Sequence, residues 1–115
     1  MDERILKWLY DIKIAIGEIE DFFADRDKSL KSYKDDIILK RAVERNLEII
    51  GEAVNRIKQR DAEFISLITE ANSIIGLRNH VIHSYDNVSD ENIWSILNDH
   101  LPTLKKEVDE LIGEL

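Results

Sequence analysis

"DIILKRAVERNLEIIGEAVNRIKQ", residues 36–59, decides the fold. Ile38, Ala42, Val43, Asn46, Leu47, Ile50, Ala53, Val54 and Ile57 recur at spacings of three and four, which wraps one apolar stripe along a helix. Lys40, Arg41, Glu44, Arg45, Glu48, Glu52 and Arg56 fall mostly elsewhere and supply a wet face. Glu48 and Glu52 could orient Arg78, further along the chain, but pairing with Arg45 and Arg56 on a wet face is the simpler expectation.

The same period appears on both sides of this segment. From Glu3 to Asp25, Ile5, Trp8, Leu9, Ile12, Ala15, Ile16, Ile19, Phe22 and Phe23 form a second buried stripe. "DRDKSLKSYKDD" breaks the pattern and reads as a linker, with Ser32 or Asp35 able to cap the helix that follows. Asp61 is placed to cap a short segment, "AEFISLITE", and Asn72 or Ser73 to cap a helix carrying Ile74, Ile75, Leu77, Val81 and Ile82. That helix is expected to end between His83 and Asn87.

Ser89 then caps a helix that buries Ile93, Trp94, Ile96 and Leu97. Pro102 must kink or restart it, because proline has no N–H to donate. Leu104, Val108, Leu111 and Ile112 continue the stripe. Gly51 and Gly76 interrupt apolar helical runs, and close approach of another backbone is the expected reason. No strand pattern competes, so the expected fold class is all-α: an up-and-down antiparallel bundle of four to five helices.

The bulk properties agree. The chain has 115 residues, 43% of them hydrophobic and 35% charged, with one proline and four glycines. That length suits one domain spanning 1–115. Without cysteine there is no disulfide or thiolate metal site. The N-terminal segment builds neither a signal peptide nor a membrane span, so we expect a cytoplasmic protein with no membrane partner. A net charge of −8 opposes sequence-independent adhesion to nucleic acid and demands a local site for any such role.

One stretch does not read as plain scaffold. "GLRNHVIHSYDNV", residues 76–88, gathers Arg78, Asn79, His80, His83, Ser84 and Tyr85, with two of the chain's three histidines. On an ideal helix Tyr85 returns to the face of Arg78, whereas His83 lies about 140° away and stacks on Asn79. Joint work by Arg78 and His83 therefore needs either a helix that loosens near His83 or a second chain that supplies the missing group. The second arrangement implies a two-fold dimer with the motif beside its axis. A purely structural histidine at a helix end, and a tyrosine that simply packs its ring, are the competing expectations. No zinc motif, glycine-rich phosphate loop or nucleophile elbow is present.

Arg78, a polar residue, three more residues, His83, any residue and Tyr85, together with "RNLEIIGEA" at 45–53 and "NIWSILNDHLPTLKKEV" at 92–108, resemble the HepT-type branch of the HEPN superfamily over nearly the whole chain. The resemblance implies a HEPN-like helical domain and a metal-independent endoribonuclease, the toxin of a toxin–antitoxin pair, that leaves a 2′,3′-cyclic phosphate. It implies Arg78 and His83 as the catalytic pair, Asn79 as the supporting polar residue, and Tyr85 as the acceptor of AMP from a minimal nucleotidyltransferase antitoxin. It also implies RNA as substrate, a homodimer with both motifs at the interface, and no cofactor or metal. His80 and His100 match no position of that motif. The alternative expectation is a non-enzymatic HEPN binding module that docks to, or is modified by, the transferase.

Overall fold

The computed structural model describes residues 2–83 and 89–113, with side-chain surroundings for all of these except 78–83. The described residues are all-α. α1 spans Glu3–Phe22, α2 Leu30–Asp35, α3 Ile37–Arg60, α4 Ala71–His83, α5 Asp90–Ser95 and α6 Leu101–Gly113. A 3₁₀ turn at Phe64–Leu67 precedes α4, and a π turn at Ile96–His100 joins α5 and α6 into one continuous rod.

Ion pairs fix the directions of the helices. Arg60 at the end of α3 binds Asp2 at the start of α1 (2.9 Å), while Asn46 of α3 reaches Ala15 and Glu18 of α1, so the two run antiparallel. Lys13 pairs with Asp109, and Lys105 with Glu20, which sets α6 antiparallel to α1. Lys40 near the start of α3 pairs with Asp90 at the start of α5 (3.1 Å). α4 returns along α3, and the result is the expected up-and-down bundle.

The core is continuous. It takes Ile5, Leu9, Ile12, Ile16 and Ile19 from α1, Val43, Leu47, Ile50, Val54 and Ile57 from α3, Ile74 and Leu77 from α4, and Leu104, Val108 and Leu111 from α6. Among the described residues no helix is long and apolar enough to cross a membrane.

Several local expectations are corrected. The supposed linker contains α2, whose cap is Ser29 accepting from the Ser32 N–H (3.2 Å). Tyr33 of α2 is fully buried between Trp94 and the core, which explains why a short polar stretch orders. The cap of α3 is Asp36, accepting from the Leu39 N–H (3.0 Å), and neither Ser32 nor Asp35 serves. Leu39 is buried and Ile38 is 79% exposed, because the true stripe enters one residue later in the run "IIL". α4 begins at Ala71, so Asn72 and Ser73 lie inside it. A Cβ on Gly76 would meet nothing within 4 Å, and close packing does not account for that glycine. Gly51 is buried on α3.

The cap at Ser89 matches expectation: it accepts from the Asn92 N–H (3.0 Å). Asp61 accepts from the N–H groups of Glu63 and Phe64 (3.1 and 3.0 Å), but the segment it is expected to cap forms only the 3₁₀ turn Phe64–Leu67, whose capping position is Glu63. Pro102 is the second residue of α6, which restarts after the π turn, so the restart expected of it is what the helices show. The π turn absorbs it: the Leu101 N–H bonds the Ile96 carbonyl, five residues back, and the Asn98 carboxamide donates to the Trp94 carbonyl (2.8 Å).

Candidate active site

α4 carries Arg78, Asn79 and His83. Its first half is anchored by Ala71, Ile74 and Leu77, all buried in the core. The helix remains regular through His83. Position 78 is thus one turn beyond buried Ile74, and position 83 lies about 140° from 78 around the axis. Tyr85, and the side chains of Arg78, Asn79, His80 and His83, lie outside the described residues.

Two contacts fasten the entry to α4. The Thr69 backbone N–H and hydroxyl both donate to the Glu107 carboxylate on α6. His100, at the end of the π turn, places Nδ1 2.7 Å from the Glu70 carboxylate, with both side chains half-buried. His100 thereby has a structural partner, consistent with its absence from the motif. The pair is 30 residues apart, so no local spacing could announce it.

α3 runs beside α4 and turns a charged face outward. Arg41 pairs with Glu44 (2.8 Å), Arg45 with Glu48 (3.3 Å) and Arg56 with Glu52 (3.0 Å), and the three arginine side chains are largely exposed. The expected pairs of Glu48 with Arg45 and of Glu52 with Arg56 are present. On the α1 side of this face a cleft of about 370 Å³ opens, lined by Trp8, Asp11, Arg45, Glu48, Ile49, Glu52, Ala53 and Arg56. Sequence periodicity counts Trp8 as core, but it is only half-buried and forms part of the cleft wall. Among the described residues no three His, Asp or Glu side chains come together as a metal site.

The family model described as "Ribonuclease HepT-like" matches residues 12–111. "Putative RNase MJ0125" of Methanocaldococcus jannaschii is 33% identical over 116 aligned residues, covering 100% of this chain and 97% of that relative. "Putative RNase MJ0127" of the same organism is 34% identical, covering 94% of this chain and 87% of its own length. "Putative RNase TTE0752" of Caldanaerobacter subterraneus subsp. tengcongensis is 35% identical over 80% of this chain and 83% of its own length. No solved structure matches the chain significantly. With a helical bundle that carries Arg78 and His83 on one helix, and a family match that spans nearly all of it, this chain belongs to the HepT-like ribonuclease family.

Proposed function

We propose that this protein is a cytoplasmic endoribonuclease in which His83 and Arg78 perform the chemistry and Asn79 supports them. RNA carries its own nucleophile. The His83 imidazole takes the proton of a 2′-hydroxyl, the 2′-oxygen attacks the adjacent phosphorus, and the bond to the 5′-oxygen breaks. The Arg78 guanidinium binds the charge that grows on the phosphate oxygens. The leaving 5′-oxygen takes up a proton, and the products are a 2′,3′-cyclic phosphate and a free 5′-hydroxyl.

The observation that carries this is the family match over residues 12–111, which includes the whole motif. The regularity of α4 through His83 favours a site shared between two chains over one completed by a loosened helix, so the working form is a homodimer with both motifs at its interface. Tyr85 is the switch: its hydroxyl loses its proton and attacks the α-phosphorus of ATP held by a nucleotidyltransferase antitoxin, pyrophosphate leaves, and the AMP now on Tyr85 places negative charge near Arg78 and blocks RNA.

The net charge of −8 favours a second reading, a non-enzymatic module that serves only as the transferase's docking partner and substrate. Purified protein and His83→Ala, incubated with mixed tRNA and mRNA in EDTA, separate the two. The enzyme predicts cleavage by the parent alone; equal cleavage by both, or none by either, overturns it. Intact-mass analysis after co-expression with a transferase tests Tyr85, and AMP on another residue would remove that assignment.

A further inference from the structure

The cleft between α1 and α3 has no role in the chemistry above, yet its wall has the composition of a nucleotide subsite. Ala53 is buried at its floor and Ile49 half-buried beside it. The indole of Trp8 stands at one side. Around it are carboxylates, Asp11, Glu48 and Glu52, and the exposed guanidiniums of Arg45 and Arg56. A volume of about 370 Å³ accommodates one nucleotide, and a partner helix some 10 Å across does not fit.

Resting on the ribonuclease reading, we propose that this cleft holds one unpaired base of the RNA and so chooses where the strand is cut. A base offers a flat face to Trp8 and N–H groups to the carboxylates, while its flanking phosphates take the guanidiniums. Arg45–Glu48 and Arg56–Glu52 are exposed one-turn pairs, weak enough for a phosphate to recruit the arginine. The base must be unpaired, because in a duplex its face is stacked and its Watson–Crick edge is engaged. α3 forms one wall of the cleft and also packs against α4. The cleft and the helix that carries Arg78 and His83 therefore share α3 as their neighbour.

The test uses the full chain in a His83→Ala background, titrated with labelled single-stranded and duplex RNA oligonucleotides. Trp8→Ala is expected to weaken single-strand binding by roughly 5- to 150-fold, the range of one lost base–aromatic stack. Trp8→Phe restores most of it, and duplex binding does not change. Arg45→Ala, at a side chain 70% exposed and harmless to folding, lowers the steepness of the salt dependence. Equal single-strand affinity in the parent and in Trp8→Ala overturns the subsite. A Trp8→Ala change in sedimentation with no change in RNA affinity also overturns it, and assigns the cleft to a second copy of the chain. With His83 intact, unchanged cleavage sites and rates in Trp8→Ala remove the subsite and leave the ribonuclease. Trp8-dependent binding without any cleavage by the parent removes the ribonuclease, and with it the choice of cut, and leaves the cleft as a base-binding site alone.

Discussion

Asn46 of α3 donates its carboxamide to the backbone carbonyl of Ala15 on α1, at 3.1 Å, and to the Glu18 carboxylate at 3.0 Å. Asn46 is the one buried polar side chain among the described residues, at 7% exposure, and it sits on the apolar stripe that periodicity assigns it to. Its two bonds fix the level at which α1 meets α3. A leucine there could pack, but it would leave this level unspecified. Asn46→Ala removes both bonds and opens a small void, and should cost about 1–3 kcal/mol. Urea unfolding measures this, and an unchanged midpoint would mean that the bonds contribute nothing.

Tyr33 makes the opposite case. Its ring is fully buried 5.9 Å from Trp94, and its hydroxyl finds no hydrogen-bond partner among the described residues. Burial pushes the phenol far above its ordinary pKa, with the Glu44 and Asp90 carboxylates adding to the effect. Tyr33→Phe keeps the packing and removes a desolvated hydroxyl. It should stabilise the protein by about 1 kcal/mol. A lower melting temperature would show that the hydroxyl is satisfied in solution.

The start of α3 gives a test of register. Leu39→Ala deletes a buried side chain and should cost about 2–5 kcal/mol. Ile38→Ala, one residue earlier and 79% exposed, should stay within about 0.5 kcal/mol. Comparable losses at the two positions would contradict the register described here.

Acid sensitivity follows from the caps. Arg60 bonding holds the Asp2 carboxyl below the usual carboxylate range, with help from the Arg4 N–H. At Asp36 the Leu39 N–H does the same, with the Arg26 guanidinium. A pKa lowered by folding means that the unfolded chain binds protons first on acidification. The stabilisation is complete above the ordinary Asp value, about pH 4, and fades as pH falls through the lower native values. Asp36→Asn should flatten this acid limb of the stability profile, as read from urea midpoints at a series of pH values. An identical limb in the variant would remove Asp36 from the cause.

Long helices were legible in the sequence because their stripes repeat over many turns: α1, α3 and the rod of α5 and α6 follow from residues such as Ile5, Ile12, Ile19 and Val43, Ile50, Ile57. α2 was not, because six residues carry too few apolar positions to show a period, and Tyr33 is buried by tertiary contact with Trp94. In "IIL" three adjacent apolar residues leave the phase open, and only the Asp36 cap settles it. The motif itself was legible as a spacing, since Arg78 and His83 are close in sequence. The cleft beside α3 was not, because Trp8 and Ala53 have the periodicity of core residues and only the partial opening of Trp8 at the α1–α3 seam distinguishes it from the core.

The shared site is tested most directly by co-expressing Arg78→Ala and His83→Ala chains with separate tags and assaying the purified mixed dimer against RNA. Each variant alone should be inactive. The purified mixed dimer retains one intact Arg78 opposite one intact His83 and should recover about half of parental activity, because it carries one of the two sites. Recovery at that level, with 2′,3′-cyclic phosphate ends, is the predicted result. A mixed dimer as inactive as its parents would contradict a site built from both chains.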